Sequence, residues 1–321
     1  MDCPPIDTEH TRVEYVGHVG QLTAKQTQFS MKTAFTARLR VLTGLSLGSL
    51  LVTTAIGAYH LPALNAQTEQ GRWLRVERVA GDVTFRAGGS QAAQVGDRLT
   101  SVGHGIVTGA QSSASLTIDS GIGSLAVAQN TQMTVQQLSI RSDGARVTIL
   151  DVPQGQVRSQ VRSLTNPNSR LELHTPSGVA AVRGTEFGVA VAQDGKTSIG
   201  TLEGQVEATA QSVVVPVEGG FASIVYSGEP PTPARPLDRE LAIQWQTQER
   251  RGRQLYLSGR IDAANTLLQN GEVISISRTG YFEVVIASAR SDRSTVLIVQ
   301  NPMGESRAHS IFPWQIPNSD L

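Results

Sequence analysis

The stretch His174-Thr-Pro-Ser-Gly-Val-Ala-Ala-Val-Arg-Gly-Thr-Glu-Phe-Gly-Val-Ala-Val191 decides the fold. Pro176 fixes its own φ and drives Thr175 into extended geometry, while Gly184 permits a backbone conformation or a close approach that a Cβ would forbid. The segment is therefore expected to bend twice. Phe187, Val189 and Val191 then alternate with Gly188 and Ala190, the period of a strand with one packed face and one small-residue face. Asp194-Gly195 turns the chain, and Thr197 to Ala208 returns as the partner strand of a hairpin. Phe187, Val189, Val191, Ile199 and Val206 are its expected buried positions.

Around this hairpin the chain reads as a turn-rich β protein. It has 321 residues, 39% of them hydrophobic, which is enough for a real core and for two modest domains. Glycine is frequent, at 31 residues, while aromatic residues make up 5%. The 27 basic residues balance the 27 acidic ones, so no net field favours nucleic acid or another polyanion. Short alternating runs follow one another from Trp73, among them Trp73–Ala80, Asp82–Ala87, Ser115–Asp119, Ser124–Ala128, Gln132–Leu138, Arg146–Leu150 and Gly155–Val161. Ala80-Gly-Asp, Ser142-Asp-Gly and Asn166-Pro-Asn are the expected turns. The spacing fits a sandwich or a short β-solenoid and leaves both open.

The amino-terminal end has the layout of an export signal. Basic residues Lys32, Arg38 and Arg40 precede Val41 to Tyr59, which holds no charge, and Leu61-Pro-Ala-Leu-Asn-Ala66 supplies a breaker and small residues. Residues 31–66 read as a signal peptide or as a signal anchor, and either one carries the remainder out of the cytoplasm. Residues 1–30 read as an unstructured extension or a misassigned start. The single cysteine, Cys3, permits no internal disulfide and has no apolar stretch before it to make it a lipid anchor.

Tyr226-Ser-Gly-Glu-Pro-Pro-Thr-Pro-Ala-Arg-Pro-Leu237 marks a boundary, because Pro230, Pro231, Pro233 and Pro236 favour an extended spacer over a ladder. The organisation expected is a first β domain at 71–228, a Pro-rich linker and connector at 229–252, and a second β domain at 253–314. The connector is a short helix or a strand-like piece. The second domain has its own turn signal in Asn270-Gly271.

Chemical motifs are weak. Gly44-Leu-Ser-Leu-Gly48 fits a nucleophile elbow but sits in the apolar segment, without a strand-turn-helix context. Gly121-Ile-Gly123 has no helix after it to receive a phosphate and reads as a turn. Glu172 and His174 share a face of an extended segment, but two ligands do not make a zinc site, so a solvated pair is expected. Arg183 and Glu186 flank the bend as a pair that locks it or recognises a partner, with Arg158 and Arg162 nearby. Trp73, Trp245 and Trp314 read as packing at domain edges rather than a sugar platform.

Thr175-Pro-Ser-Gly-Val-Ala-Ala-Val-Arg-Gly-Thr-Glu-Phe187, with Asp194-Gly195 and Leu202-Glu-Gly-Gln-Val206, resembles the signature of the FecR domain. Weaker similarity runs back through Val79-Ala-Gly-Asp-Val83, Gly96-Asp-Arg-Leu99, Gly109 to Leu116 and Gly155-Gln-Val157. The resemblance implies an extracytoplasmic all-β module, as in iron-uptake regulators and many exported bacterial proteins, with no shared catalytic residues. The family's membrane regulators place a helical anti-sigma domain before the membrane. Only roughly forty residues precede the apolar stretch here, without an amphipathic pattern, so that domain is expected to be missing. The second β domain resembles small immunoglobulin-like modules of bacterial envelope proteins, through Ser258-Gly-Arg260, Leu268-Gln-Asn-Gly271, Gly280-Tyr-Phe-Glu283 and Asn301-Pro-Met-Gly304.

The reading is thus an exported, all-β, non-catalytic binding or scaffolding protein of the cell envelope, located in the periplasm or held at the inner membrane by residues 41–59. No cofactor or metal is expected. Its partner is an envelope protein or glycan, and Pro176, Arg183, Gly184, Thr185, Glu186 and Phe187 are the candidate recognition residues. A membrane-anchored signalling regulator and an enzyme acting on envelope polysaccharide are the alternatives.

Overall fold

A computed structural model describes residues 71–287 and 294–316. The extension at 1–30, the export segment at 31–66, Cys3 and the Gly44–Gly48 motif lie outside the described residues. What is described is all-β, with one 3₁₀ turn at Pro313–Gln315.

The first strands in chain order are β1 (Leu74–Ala80), β2 (Val83–Arg86), β3 (Ser90–Ala92), β4 (Arg98–Leu99), β5 (Gly105–Thr108), β6 (Ser113–Ile118), β7 (Gly123–Val127), β8 (Gln132–Ile140) and β9 (Arg146–Val161). They continue as β10 (Arg170–His174), β11 (Val179–Val182), β12 (Glu186–Val191), β13 (Thr197–Glu203), β14 (Gln205–Ala210), β15 (Val213–Glu218), β16 (Phe221–Val225) and β17 (Arg235–Pro236). They form two layers that share one strand. The first layer runs β4-β1-β6-β7-β9-β12-β13-β16-β17. The second runs β3-β2-β5-β8-β9-β10-β11-β14-β15. The β9–β10 pairing is parallel and the others are antiparallel, so the layers make an antiparallel sandwich rather than a parallel solenoid.

β9 replaces two expected strands. It is 16 residues long, pairing with β8 and β10 through its first half and with β7 and β12 through its second. Pro153 does not end it, because the register against β8 shifts between Gln132 and Thr134, so the missing N–H falls at a bulge. At Gly155, with φ of 91°, the backbone crosses so close to Thr131 that a Cβ would sit 2.4 Å from its Cα. The expected return strand Thr197–Ala208 is likewise two strands. Gly204, at φ 83°, breaks it and sends β13 to one layer and β14 to the other.

The inward faces fill one core, with Phe187, Leu125, Val157, Ile199, Leu150, Leu173 and Val206 all enclosed. All five positions expected to be buried on the hairpin are buried. Arg72 ties the two layers at the start of the sandwich. It is itself buried and donates to Asp119 at 3.0 Å after β6, and to the Val147 carbonyl at 2.7 Å and the Thr148 hydroxyl at 2.8 Å on β9.

The second β unit comprises β18 (Gln244–Arg251), β19 (Gln254–Arg260), β20 (Thr266–Gln269), β21 (Glu272–Ile274), β22 (Tyr281–Ala287), β23 (Thr295–Gln300) and β24 (Ser306–Ile311). Its sheets, β18-β19-β22 and β21-β20-β23-β24, enclose a core containing Leu255, Leu267, Phe282, Leu297 and Val299. Leu241 and Trp245 pack into that core, so the unit begins inside the expected connector and not at residue 253. The expected spacer is also not free-standing. Arg235–Pro236 pairs with Phe221–Ala222, and the Thr232 hydroxyl accepts from the Ile224 N–H at 2.9 Å.

The hairpin's small-residue face is covered as well. The Pro302 carbonyl lies where a Cβ on Gly188 would be 2.0 Å away, and Leu237 and Pro302 lie 3.2 Å from the same point on Gly200. Ala222, Ile224, Leu237, Ala263, Ala264 and Met303 form a third cluster at this junction.

Phe187→Ala removes a fully enclosed ring and is expected to cost about 3–5 kcal/mol in equilibrium denaturation. A loss below about 1 kcal/mol would contradict the enclosure.

Candidate functional site

At Arg183–Thr185 the chain passes from β11 in one layer to β12 in the other, and Gly204 makes the reverse crossing beside it. The first crossing is bound to the Val161–Leu164 backbone, through Val161 N–H to the Thr185 carbonyl at 3.0 Å and Leu164 N–H to the Arg183 carbonyl at 2.8 Å. Gly184 has φ 159°, at the margin of extended geometry, so close approach is the constraint there: a Cβ would sit 2.5 Å from the Ser163 Cα. The two crossings also lock each other. The Thr185 hydroxyl donates to the Gln205 carbonyl at 3.0 Å, and a Cβ on Gly204 would meet the Gly184 carbonyl at 2.9 Å.

The other end of the hairpin is closed by its two turns. Pro176 lies in the turn in which Gly178 N–H reaches the Thr175 hydroxyl at 3.1 Å. Ser177 donates to the Gly195 carbonyl at 2.5 Å, and the Thr197 and Thr175 hydroxyls are 2.9 Å apart. The signature residues thus stand at the two ends of one hairpin, with Phe187 in the core between them.

The structure does not build the expected Arg183–Glu186 pair. Glu186 is claimed across the ladder by Arg158, whose Nε lies 3.1 Å from it, while exposed Arg183 donates to the Pro167 carbonyl. Of the six candidates, Pro176 and Arg183 are exposed, Gly184 and Glu186 are half-buried, and Thr185 and Phe187 are buried. A groove of about 720 Å³ runs along the bend past Gln160, Arg162 and Glu203.

Glu172 and His174 do share a face, 2.7 Å apart, and Arg170 Nε joins Glu172 at 2.5 Å. Burial pushes the Glu172 pKa up, but the bonds from His174 and Arg170 outweigh it, and the net shift is downward. Among the described residues no group of three or more His, Cys, Asp or Glu could hold a metal. Gly121 forms a turn into β7, with φ 93° and its N–H 3.2 Å from the Ile118 carbonyl. Trp73 receives the Arg98 guanidinium 5.0 Å from its ring centre, and Trp245 packs edge-on to Phe282 at 6.0 Å. Trp314 is half exposed beside Phe312.

What the sequence did not reveal is the junction of the two units. Buried Gln156 donates to the carbonyls of both Asn301 and Pro302 at 2.8 Å. Lys196, one residue past the hairpin turn, reaches the Ala263 carbonyl at 3.0 Å. Burial pulls its pKa down against the opposing pull of Asp194 and Asp262. Arg235 pairs with Asp262 at 2.7 Å. Beside these contacts opens a cleft of about 710 Å³ between the sandwich and the second unit. No local spacing could have found it, because one wall is gathered from distant strands and turns of the sandwich and the other comes from β20, β21 and β23 of the second unit.

These features define an antiparallel β-sandwich with a second β unit seated on its outer face. Residues 104–207 match the family described as FecR protein, and the chain carries a FecR domain over that range. No curated protein matches. Two solved structures of a protein described as an anti-sigma factor from Parabacteroides distasonis ATCC 8503, at 2.50 and 1.65 Å resolution, are similar at TM-scores of 0.36 and 0.35. Each is 15% identical and covers 45% of this chain and 68% of its own.

Gly184→Val is expected to lower the unfolding midpoint by an amount equivalent to about 1–3 kcal/mol, since the Ser163 backbone cannot yield as a flexible side chain would. Arg183→Lys is expected to stay within about 0.5 kcal/mol of the parent, because its bond is at the surface. Equal loss in both variants would mean that Arg183 holds the bend.

Proposed function

We propose that the protein is an exported, non-catalytic binding protein of the bacterial cell envelope, in which the FecR-type sandwich and an immunoglobulin-like second unit hold a ligand cleft between them. The observation that carries this reading is the docked junction at Gly188 and Gly200, which fixes both walls of the cleft. The FecR domain at 104–207 supports a role without catalysis. Among the described residues lining the cleft, Glu272 is the one carboxylate, which leaves an enzyme acting on envelope polysaccharide without a carboxylate pair there.

A membrane-anchored signalling regulator is the second reading, favoured by the uncharged run Val41–Tyr59 together with the FecR domain. The amino-terminal residue of the chain recovered from cells separates the two. A start near Gln67 supports export with cleavage, and an intact run in the membrane fraction supports the anchored regulator. For binding itself, the immobilised full chain is expected to retain an envelope protein or glycan at a fixed stoichiometry from envelope extract. Equal retention from cytoplasmic extract, or none from either, would contradict it.

A further inference from the structure

The cleft has a distinctive wall. Gln111, Gln129, Asn130, Gln154, Gln193 and Gln300 bring carboxamides to it, and among the described lining residues there is no basic or aromatic side chain. A carboxamide carries a donor and an acceptor in one plane, the same complement as a peptide group. A phosphate or carboxylate ligand would meet no cation there, and a sugar ring would meet no aromatic face. The volume lies within the ordinary range of ligand sites.

Two further features give the ligand a direction. β21 is the edge of its sheet, pairing only with β20, and its residues Glu272 and Val273 line the cleft, with Val273 44% exposed. An open strand edge is a template for an added strand. The cleft also adjoins a small cavity of about 70 Å³, with which it shares Ala192, Gln193, Thr266 and Val273. Asn265 lines that cavity fully buried, and its Nδ2 donates to Asp238 at 2.7 Å. Its Oδ1 has no hydrogen-bond partner within the protein, which leaves a buried acceptor behind the cleft wall.

We propose that this cleft binds an extended, uncharged polypeptide segment through its backbone, laid along the free edge of β21 between the carboxamides. The proposal rests on the binding reading above and names the ligand class. Recognition through the backbone makes it tolerant of ligand sequence, with Leu268 and Val273 offering small apolar seats.

The test is fluorescence anisotropy of the full chain in detergent with three probes. These are a labelled, acetylated and amidated octapeptide of alternating Ser and Val, the same peptide N-methylated at alternate residues, and an N-acetylglucosamine hexamer as competitor. The plain peptide is expected to bind, the N-methylated one to bind at least about tenfold more weakly, and the sugar not to compete. The double variant Gln154→Ala, Gln193→Ala is expected to raise the peptide Kd about tenfold while melting with the parent. Equal binding of both peptides, or unchanged affinity in the double variant, overturns the proposal. Sugar binding in place of peptide overturns the ligand class and leaves the binding reading standing. If no probe binds at about 1 mM the peptide proposal falls, while capture from envelope extract still decides the binding reading.

Discussion

The structure depends on one close approach, the Pro302 carbonyl against the backbone of Gly188. Strands with bulk on one face and none on the other leave that second face to be covered by whatever can come close to the main chain. Gly188, Ala190, Ser198 and Gly200 form such a face on the FecR hairpin, and the Asn301–Gly304 turn of the second unit fills it. Gln156 then satisfies the Pro302 carbonyl that this burial would otherwise strand, and adds a second donor to the Asn301 carbonyl, which also accepts from the Gly304 N–H. A strand buried on both faces cannot shift register without emptying one of them, so the junction also fixes the hairpin. The cleft is a consequence of it, since its two walls are held apart and together by the same contact.

The signature residues solve a different problem at the far end of the hairpin. Two chain segments change layers side by side there, and only glycine at 184 and 204 lets them nest against Ser163 and against each other. Thr185 bonds the one crossing to the other, and Phe187 anchors the result in the core. The motif that most identifies the chain is therefore built mainly for folding, and Pro176, Arg183 and the Arg158–Glu186 pair are among what it leaves toward solvent.

Local patterns carried much of this. The hairpin, its Asp194-Gly195 turn and all five buried positions follow from period-two alternation and turn chemistry, which act over a few residues. Three things were hidden for physical reasons. Arg146–Leu150 and Gly155–Val161 read as two strands, because a sequence does not show that a bulge in β8 lies opposite Pro153 and lets one strand run through. Gly204 lies within an alternating run, and only the neighbouring crossing makes its φ of 83° necessary. Arg183 and Glu186 looked paired because they are close in sequence, yet cross-strand geometry gave Glu186 to Arg158. The carboxamide cleft is the extreme case: its glutamines have no spacing in common, most are gathered by the sandwich fold, and docking adds Gln300 and the facing wall of the second unit.

Differential scanning calorimetry of Gly188→Val against the parent tests the central contact most directly. A valine there would drive its Cβ to within 2.0 Å of the Pro302 carbonyl, so the second unit must leave the hairpin face or the strand must move. The account predicts that the parent's junction melts as part of one transition. The variant should show a separate, earlier transition for the second unit, together with new proteolytic cleavage between residues 226 and 243. A variant that melts as the parent does, uncleaved, would contradict it.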